Sequence, residues 1–239
     1  MTAWLSPPAE LVLGADEVHV WRAGLVQPPA VIAALAQTLS DDERARAARF
    51  HFERDRSAYT VARGALRSLI GRYLGLSPDQ LVFGYRDKGK PYLASPQGEL
   101  RFNVSHSGGL ALLAFVRSRE IGVDIEQRRQ LSDLVSLART SFSPNEYAVF
   151  SRLPTADHVE AFFSCWSRKE AFIKATGEGV SQLADFDVSL APGEPAQLLR
   201  VPGETIWWLQ ELPGIRDYAA AVVVEGGKVS VGCWEWMGL

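Results

Sequence analysis

Two short runs in the 239-residue chain space their polar side chains in a way that could do chemistry. In Ile121-Gly122-Val123-Asp124-Ile125-Glu126, side chains two apart on a strand share a face, so Asp124 and Glu126 project together while Val123 and Ile125 enter the core. Neighbouring carboxylates on an apolar strand repel unless a cation or basic group sits between them, although a solvated acidic strand end produces the same pattern. In the run from Phe162 to Lys174, helical spacing aligns Phe163, Trp166, Glu170, Ile173 and Lys174. Glu170 then lies among large apolar groups, where an ion persists by pairing or by binding metal. The plainer alternative is an i,i+4 ion pair with Lys174, worth a few tenths of a kcal/mol when exposed. Together Asp124, Glu126 and Glu170 make an all-oxygen set suited to Mg²⁺ or Mn²⁺, with positions left for water and a phosphate group. A pyrophosphate beside such a site needs further cations, and Lys90, His106 and Lys174 lead the candidates.

Around this set, Ser105-His106-Ser107 lacks the Gly-x-Ser-x-Gly elbow, and a Ser and His adjacent on extended chain point apart, which argues against a serine triad. A loop over Ser105 to Gly109 with free amides suits phosphate; a plain hairpin turn with a surface histidine is the other reading. Arg49, Arg56 and Arg63 recur every seven residues and form a phosphate-facing row if one helical phase persists; otherwise they belong to a solvated, salt-bridged face. No nucleic-acid recognition motif accompanies them. Cys165 and Cys233 sit among apolar neighbours, without the close Cys or His partners of a zinc site, and read as core.

The elements that must position these groups follow from periodicity. A strand is expected at Glu17 to Trp21, a helix from Ser40 with acids in its first turn, and a second helix from about Asp55 to Tyr73. Strands follow at Leu81 to Tyr85, Leu100 to Val104, Leu110 to Val116 and Ile121 to Glu126. Leu131 to Phe150 reads as largely helical, His158 to Thr176 as a long helix ending at Gly177, and four further strands reach Trp236. The helix ending at Gly75 and its following strand parallel the helix ending at Gly177 and its strand. Leu110 to Val116 likewise parallels Tyr218 to Val224, a hint of two similar lobes, 1–119 and 120–239. The formal charge of −3 divides at that boundary into +4 and −7, as if one lobe held an anion and the other a cation. No window approaches the roughly 18 to 20 apolar residues of a membrane span, and the start does not read as a secretion signal, which points to a cytoplasmic protein.

Asn103-Val104-Ser105-His106-Ser107-Gly108, then Ile121 to Glu126, then Phe163-x-x-Trp166-Ser167-x-Lys169-Glu170-Ala171-Phe172-x-Lys174-Ala175-x-Gly177-x-Gly179 resemble, in order and spacing, the surfactin-type 4′-phosphopantetheinyl transferases. The likeness extends upstream to Arg49-Phe50, Asp55-Arg56, Arg63, Arg67 and Gly89-Lys90-Pro91. It implies an α+β pseudo-dimer of two similar lobes, each with a small antiparallel sheet and a long packed helix, and an active site in the cleft between them. It also implies transfer of the phosphopantetheine arm of coenzyme A to a serine of an apo acyl, peptidyl or aryl carrier protein, by a monomer, releasing adenosine 3′,5′-bisphosphate. In that scheme Asp124, Glu126 and Glu170 hold Mg²⁺, or Mn²⁺, and Glu170 helps deprotonate the serine. Lys174 neutralises phosphate charge or assists the leaving group, and Arg46, Arg63, Lys90, Ser105 and His106 position coenzyme A. The early helix reads Glu43-Arg44-Ala45-Arg46 where some members place lysines. Carrier docking is expected near residues 127–160, with Leu131, Leu134 and Phe142 beside Arg128 and Arg129. A metal-dependent pyrophosphate hydrolase and a non-catalytic coenzyme A-binding module are the competing readings.

Overall fold

The computed structural model describes residues 4–179 and 182–238. The first half runs β1 (Glu17–Gly24), α1 (Pro29–Thr38), α2 (Asp41–Ala48), α3 (Glu53–Leu74), β2 (Val82–Tyr85), β3 (Pro91–Ser95), β4 (Leu100–Ser107) and β5 (Leu110–Arg117). The second runs β6 (Ile121–Gln127), α4 (Leu134–Ser141), α5 (Pro144–Phe150), α6 (His158–Thr176), β7 (Asp187–Val188), β8 (Leu198–Arg200), β9 (Trp207–Glu211) and β10 (Tyr218–Glu225), with β11 (Ser230–Glu235) last. Local sequence sets the long helices' ends: Gly75 and Gly177 stop α3 and α6 in left-handed conformation at φ 65° and 77°, where a side chain is disfavoured. The single helix expected over Leu131 to Phe150 is broken, because Ser143 caps a new one at Pro144. Ser105 to Ser107 also departs from expectation. These residues continue β4, paired opposite Leu112, Ala111 and Leu110, so only Gly108 and Gly109 form the turn and the free-amide loop does not exist.

The two halves repeat one another. Sheet order β4-β5-β1 corresponds to β9-β10-β6, and the hairpin β2-β3 to β7-β8. An internal device recurs as well. Glu43 accepts the Ser40 amide at 3.0 Å and pairs with Arg67 on α3, whose guanidinium donates to the Leu81 carbonyl at 3.0 Å. Glu146 accepts the Ser143 amide at 2.8 Å and pairs with Lys169 on α6, whose ammonium donates to the Phe186 carbonyl at 2.7 Å. Each buried acid therefore pins a short helix to a long one and to the strand that follows.

Packing gives four layers. Trp21, Leu113 and Phe115 on one face of the first sheet meet Val61, Ala65 and Leu69 of α3, and Ala219, Ala221 and Val223 in the second meet Phe172 and other α6 residues. The remaining faces close on each other through Val18, Val20, Leu112 and Ala114 against Val123, Ile125, Val222 and Val224. The symmetry breaks at one edge. β11 pairs in parallel with β1, so the first sheet is not built from residues 1–119 alone. Among the described residues the matching edge of β6 carries no added strand; β4 lies there instead and contacts it through side chains, with the Val123 amide donating to Asn103 Oδ1 at 3.0 Å.

Candidate active site

Asp124 is the inner point of the site, buried on β6 at 2% exposure. Its Oδ1 accepts hydrogen bonds from Ser105 Oγ of β4 at 2.8 Å and from Lys174 Nζ of α6 at 2.6 Å. Lys174 Nζ also donates to Ser105 Oγ at 2.8 Å, so the three groups form a closed triangle drawn from both halves. The i,i+4 pairing of Lys174 with Glu170 does not form; the ammonium crosses to β6 instead. Gly122 permits this. A Cβ there would lie 2.0 Å from the Ala171 carbonyl oxygen and 2.3 Å from the Ala175 nitrogen, so α6 rests directly on the strand backbone.

Glu126 and Glu170 flank the triangle, both half-buried. Burial pushes the Glu126 carboxyl above the usual range and Asp124 adds to it, against the hydrogen bond donated by Ser107 Oγ at 2.9 Å. Burial likewise raises Glu170; Lys174 opposes the shift, and Asp124 and Glu126 reinforce it. Glu126 and Glu170 thus sit in the field of Asp124, which adds to the cost of ionising either of them. Among the described residues, no three His, Cys, Asp or Glu side chains are arranged to hold a metal ion as they stand. The donor chemistry nonetheless fits a hard divalent cation, because Asp124 Oδ2 is a buried oxygen with no hydrogen-bond partner among the described residues, beside two acids that a cation would stabilise.

Lys90 ties the halves together below this cluster. Its ammonium donates to Glu120 Oε2 at 2.7 Å and to the Ala175 carbonyl near the end of α6 at 2.8 Å, where the helix dipole favours a cation. Burial lowers its pKa and the Glu120 carboxylate opposes that. A cavity of about 260 Å³ opens here between the halves, lined by Lys88, Lys90, Asn103, Ile173, Lys174 and Gly177 among others. A larger cavity, about 840 Å³, lies on the far side of Lys90 against Arg86, Tyr92 and Arg101, away from the three acids.

The remaining expected contacts are dispersed. Strand alternation turns His106 away from the face that carries Ser105, and it is exposed. The arginine row does not exist as one helical face: Arg49 caps α2, α3 starts at Glu53, Arg56 pairs with Glu53 at 3.0 Å, and Arg63 is buried against Glu43 at 3.1 Å. Arg46 is exposed on α2, its guanidinium 5.5 Å from the Tyr59 ring centre. Leu134 and Phe142, expected at a docking surface, are buried at 6% and 4% in the second lobe's core; Val135 at 50% and Val149 at 44% are the large apolar side chains exposed there among the described residues. Sequence reasoning passed over Asn103, Ser107, Glu120 and Gly122. The signal for the first two was present, since Asn103, Ser105 and Ser107 alternate as one strand face.

Comparison with known proteins identifies the family. Residues 120–223 match the family described as the 4'-phosphopantetheinyl transferase superfamily, and residues 27–117 match the one described as 4'-phosphopantetheinyl transferase, N-terminal. The chain is 46% identical over 225 residues to the 4'-phosphopantetheinyl transferase HetI of Nostoc sp., covering 93% of this chain and 94% of that protein. It is 32% identical over 153 residues to the 4'-phosphopantetheinyl transferase Sfp of Bacillus subtilis, covering 64% of this chain and 66% of that one. A solved holo-(acyl-carrier-protein) synthase from Bacillus anthracis, in complex with CoA (3',5'-ADP), aligns at a TM-score of 0.38 and 24% identity over 44% of this chain and 94% of its own. The chain belongs to the 4'-phosphopantetheinyl transferase superfamily and is a phosphopantetheinyl transferase. Among its described residues no helix is long and apolar enough to cross a membrane.

Proposed function

We propose that this enzyme is a Mg²⁺-dependent, holo-[acyl-carrier-protein] synthase type transferase that moves the phosphopantetheine arm of coenzyme A onto a serine of an apo acyl, peptidyl or aryl carrier protein, acting as a cytoplasmic monomer. The observation that carries the reading is the Asp124–Ser105–Lys174 triangle, built from both halves beside a cavity whose wall supplies Lys88 and Lys90. Asp124, Glu126 and Glu170 would hold Mg²⁺, which supplies charge neutralisation at the pyrophosphate when bound. Glu170, pushed up by burial, takes the proton from the serine hydroxyl as its oxygen attacks the phosphorus bearing the pantetheine arm. Lys174 stabilises charge on the departing adenosine 3′,5′-bisphosphate as the phosphoanhydride bond breaks. Lys90 steadies the cleft wall against which the nucleotide lies, and Arg46, Arg63 and His106 reach it only from the periphery. The carrier approaches along residues 127–160, where Arg128, Arg129 and the exposed Val135 suit an acidic amphipathic helix.

Incubation with coenzyme A, Mg²⁺ and a panel of apo carrier proteins tests the reading by mass spectrometry. One phosphopantetheine per carrier is expected, with none after Asp124→Ala or Glu170→Ala. Consumption of coenzyme A without carrier would instead make the protein a pyrophosphate hydrolase, and coenzyme A binding with no modified carrier would make it a binding module.

A further inference from the structure

The edge where β4 meets β6 carries an inference about how the acids are held in place, one that rests on the Mg²⁺ reading above. The two strands belong to different sheets and share no backbone ladder. The amides of Val123, Ile125 and Gln127 on β6 would therefore be left without partners. They are taken up by three alternate side chains of β4: Asn103 Oδ1 at 3.0 Å, Ser105 Oγ at 3.4 Å and Ser107 Oγ at 3.1 Å. A hydroxyl that accepts such an amide still has one proton to give. Ser105 gives it to Asp124 Oδ1 at 2.8 Å and Ser107 to Glu126 Oε2 at 2.9 Å. The two serine rungs thus each join a β6 amide to the carboxylate of the preceding residue, and the Asn103 rung holds the Val123 amide alone.

We infer that Ser107 is a positioning residue for Glu126 and that Asn103, Ser105 and Ser107 form a side-chain ladder fixing the Asp124–Glu126 pair across the lobe boundary. Ser107 Oγ has one acceptor direction filled by the Gln127 amide, so its proton has a single well-placed destination among the groups bonded to it, and the carboxylate is oriented before any ligand arrives. Ser105 is committed in the same way, with its proton on Asp124, which makes its hydroxyl part of the metal-side framework. Groups that orient ligands from behind in this manner typically change metal affinity by about 10- to 100-fold when removed. Substrate does not need to touch Ser107 for the effect to appear.

The test compares Ser107→Thr with Ser107→Val, two β-branched side chains of matched shape that differ in the hydroxyl, together with Ser107→Ala. Mn²⁺ is titrated calorimetrically into each substrate-free protein, and hydrogen exchange of the Gln127 amide is followed without metal. The expected result is about 10-fold weaker Mn²⁺ binding and faster Gln127 exchange in Val and Ala, with both restored in Thr. Wild-type Mn²⁺ affinity in Ser107→Val overturns the inference. Should the wild-type protein itself take up no Mn²⁺, the metal reading fails. The exchange arm still judges the ladder: unchanged protection of Gln127 in Ser107→Val refutes it.

Discussion

Gly122→Ala is the most economical test of how α6 is positioned. The added methyl would sit 2.0 Å from the Ala171 carbonyl oxygen and 2.3 Å from the Ala175 nitrogen, both backbone atoms of the helix that carries Glu170 and Lys174. No rotamer change relieves a backbone clash, so α6 has to retreat by more than about 1 Å to regain ordinary van der Waals separation. Overpacking of this kind costs about 1–3 kcal/mol, and at roughly 2–4 °C per kcal/mol for a chain of this size the melting temperature should fall by several degrees. Activity should fall further than stability, because displacement of about 1 Å in a reacting group can cost on the order of 100-fold in rate. Thermal unfolding and the carrier-modification rate, measured well below the transition, separate the two effects. Gly98→Ala is the control, since a Cβ there meets nothing within 4 Å. A Gly122→Ala protein with wild-type melting temperature and rate would refute the claim that strand-to-helix contact at Gly122 sets the site's geometry.

Other perturbations have equally definite outcomes. Lys169→Met strands the Glu146 carboxylate, which is 2% exposed, and should cost about 3–5 kcal/mol in urea unfolding, most of it recovered in the Lys169→Met/Glu146→Gln double variant. Lys174→Gln keeps a donor toward Asp124 but removes the charge, and should lower kcat roughly 100-fold with a melting temperature near that of the wild type. Asp187 is desolvated, yet hydrogen bonds from Arg200, Ser143 and Asn145 outweigh that and hold its carboxyl down at about 2. Because its folded pKa lies below the ordinary aspartate value, its stabilisation is fully present above pH about 4 and is lost as pH falls through about 2. Asp187→Asn should therefore flatten that part of the acid unfolding curve, measured by circular dichroism.

How much of this was legible in the sequence depended on the range of the interaction. Helix α6 was expected at its observed bounds, because its apolar period and terminal Gly177 are local signals. The carboxylates were placed on one strand face for the same reason. What could not be read locally were partners chosen across the fold. Lys174 looked equally able to pair with Glu170 one turn away; α6 resting on Gly122 brings it to Asp124 instead. Ser105 to Ser107 looked like a loop because small polar residues favour turns, but β5 supplies a backbone ladder and β6 supplies donors for the hydroxyls, which overrides that tendency. The arginine periodicity failed at the break between α2 and α3, and Arg63 and Arg67 went to Glu43.

The repeat raises the question of why the fold offers this site once when its two halves are so alike. Strand registers match Trp21, opposite Leu113, with Asp124, opposite Ala221, if β5 is aligned with β10. The helix ends at Gly75 and Gly177 match Arg72 with Lys174. The first lobe therefore keeps a basic residue over the same place, but the guanidinium of Arg72 stands 5.9 Å from an indole ring where Lys174 finds a carboxylate. β11 then fills the edge of β1, and Trp234 packs at 5.4 Å from Trp21. In the second lobe that edge is held by side chains of β4, which leave hydroxyls facing the acids. A backbone ladder at β6 would have satisfied the same amides, but it would have turned alternate side chains above and below the sheet and placed no donors in its plane, beside Asp124 and Glu126. The asymmetry of the two edges is thus what sets hydroxyls beside the acids of one lobe, where the proposed cation and phosphate would lie, and packs the corresponding place of the other lobe into the core.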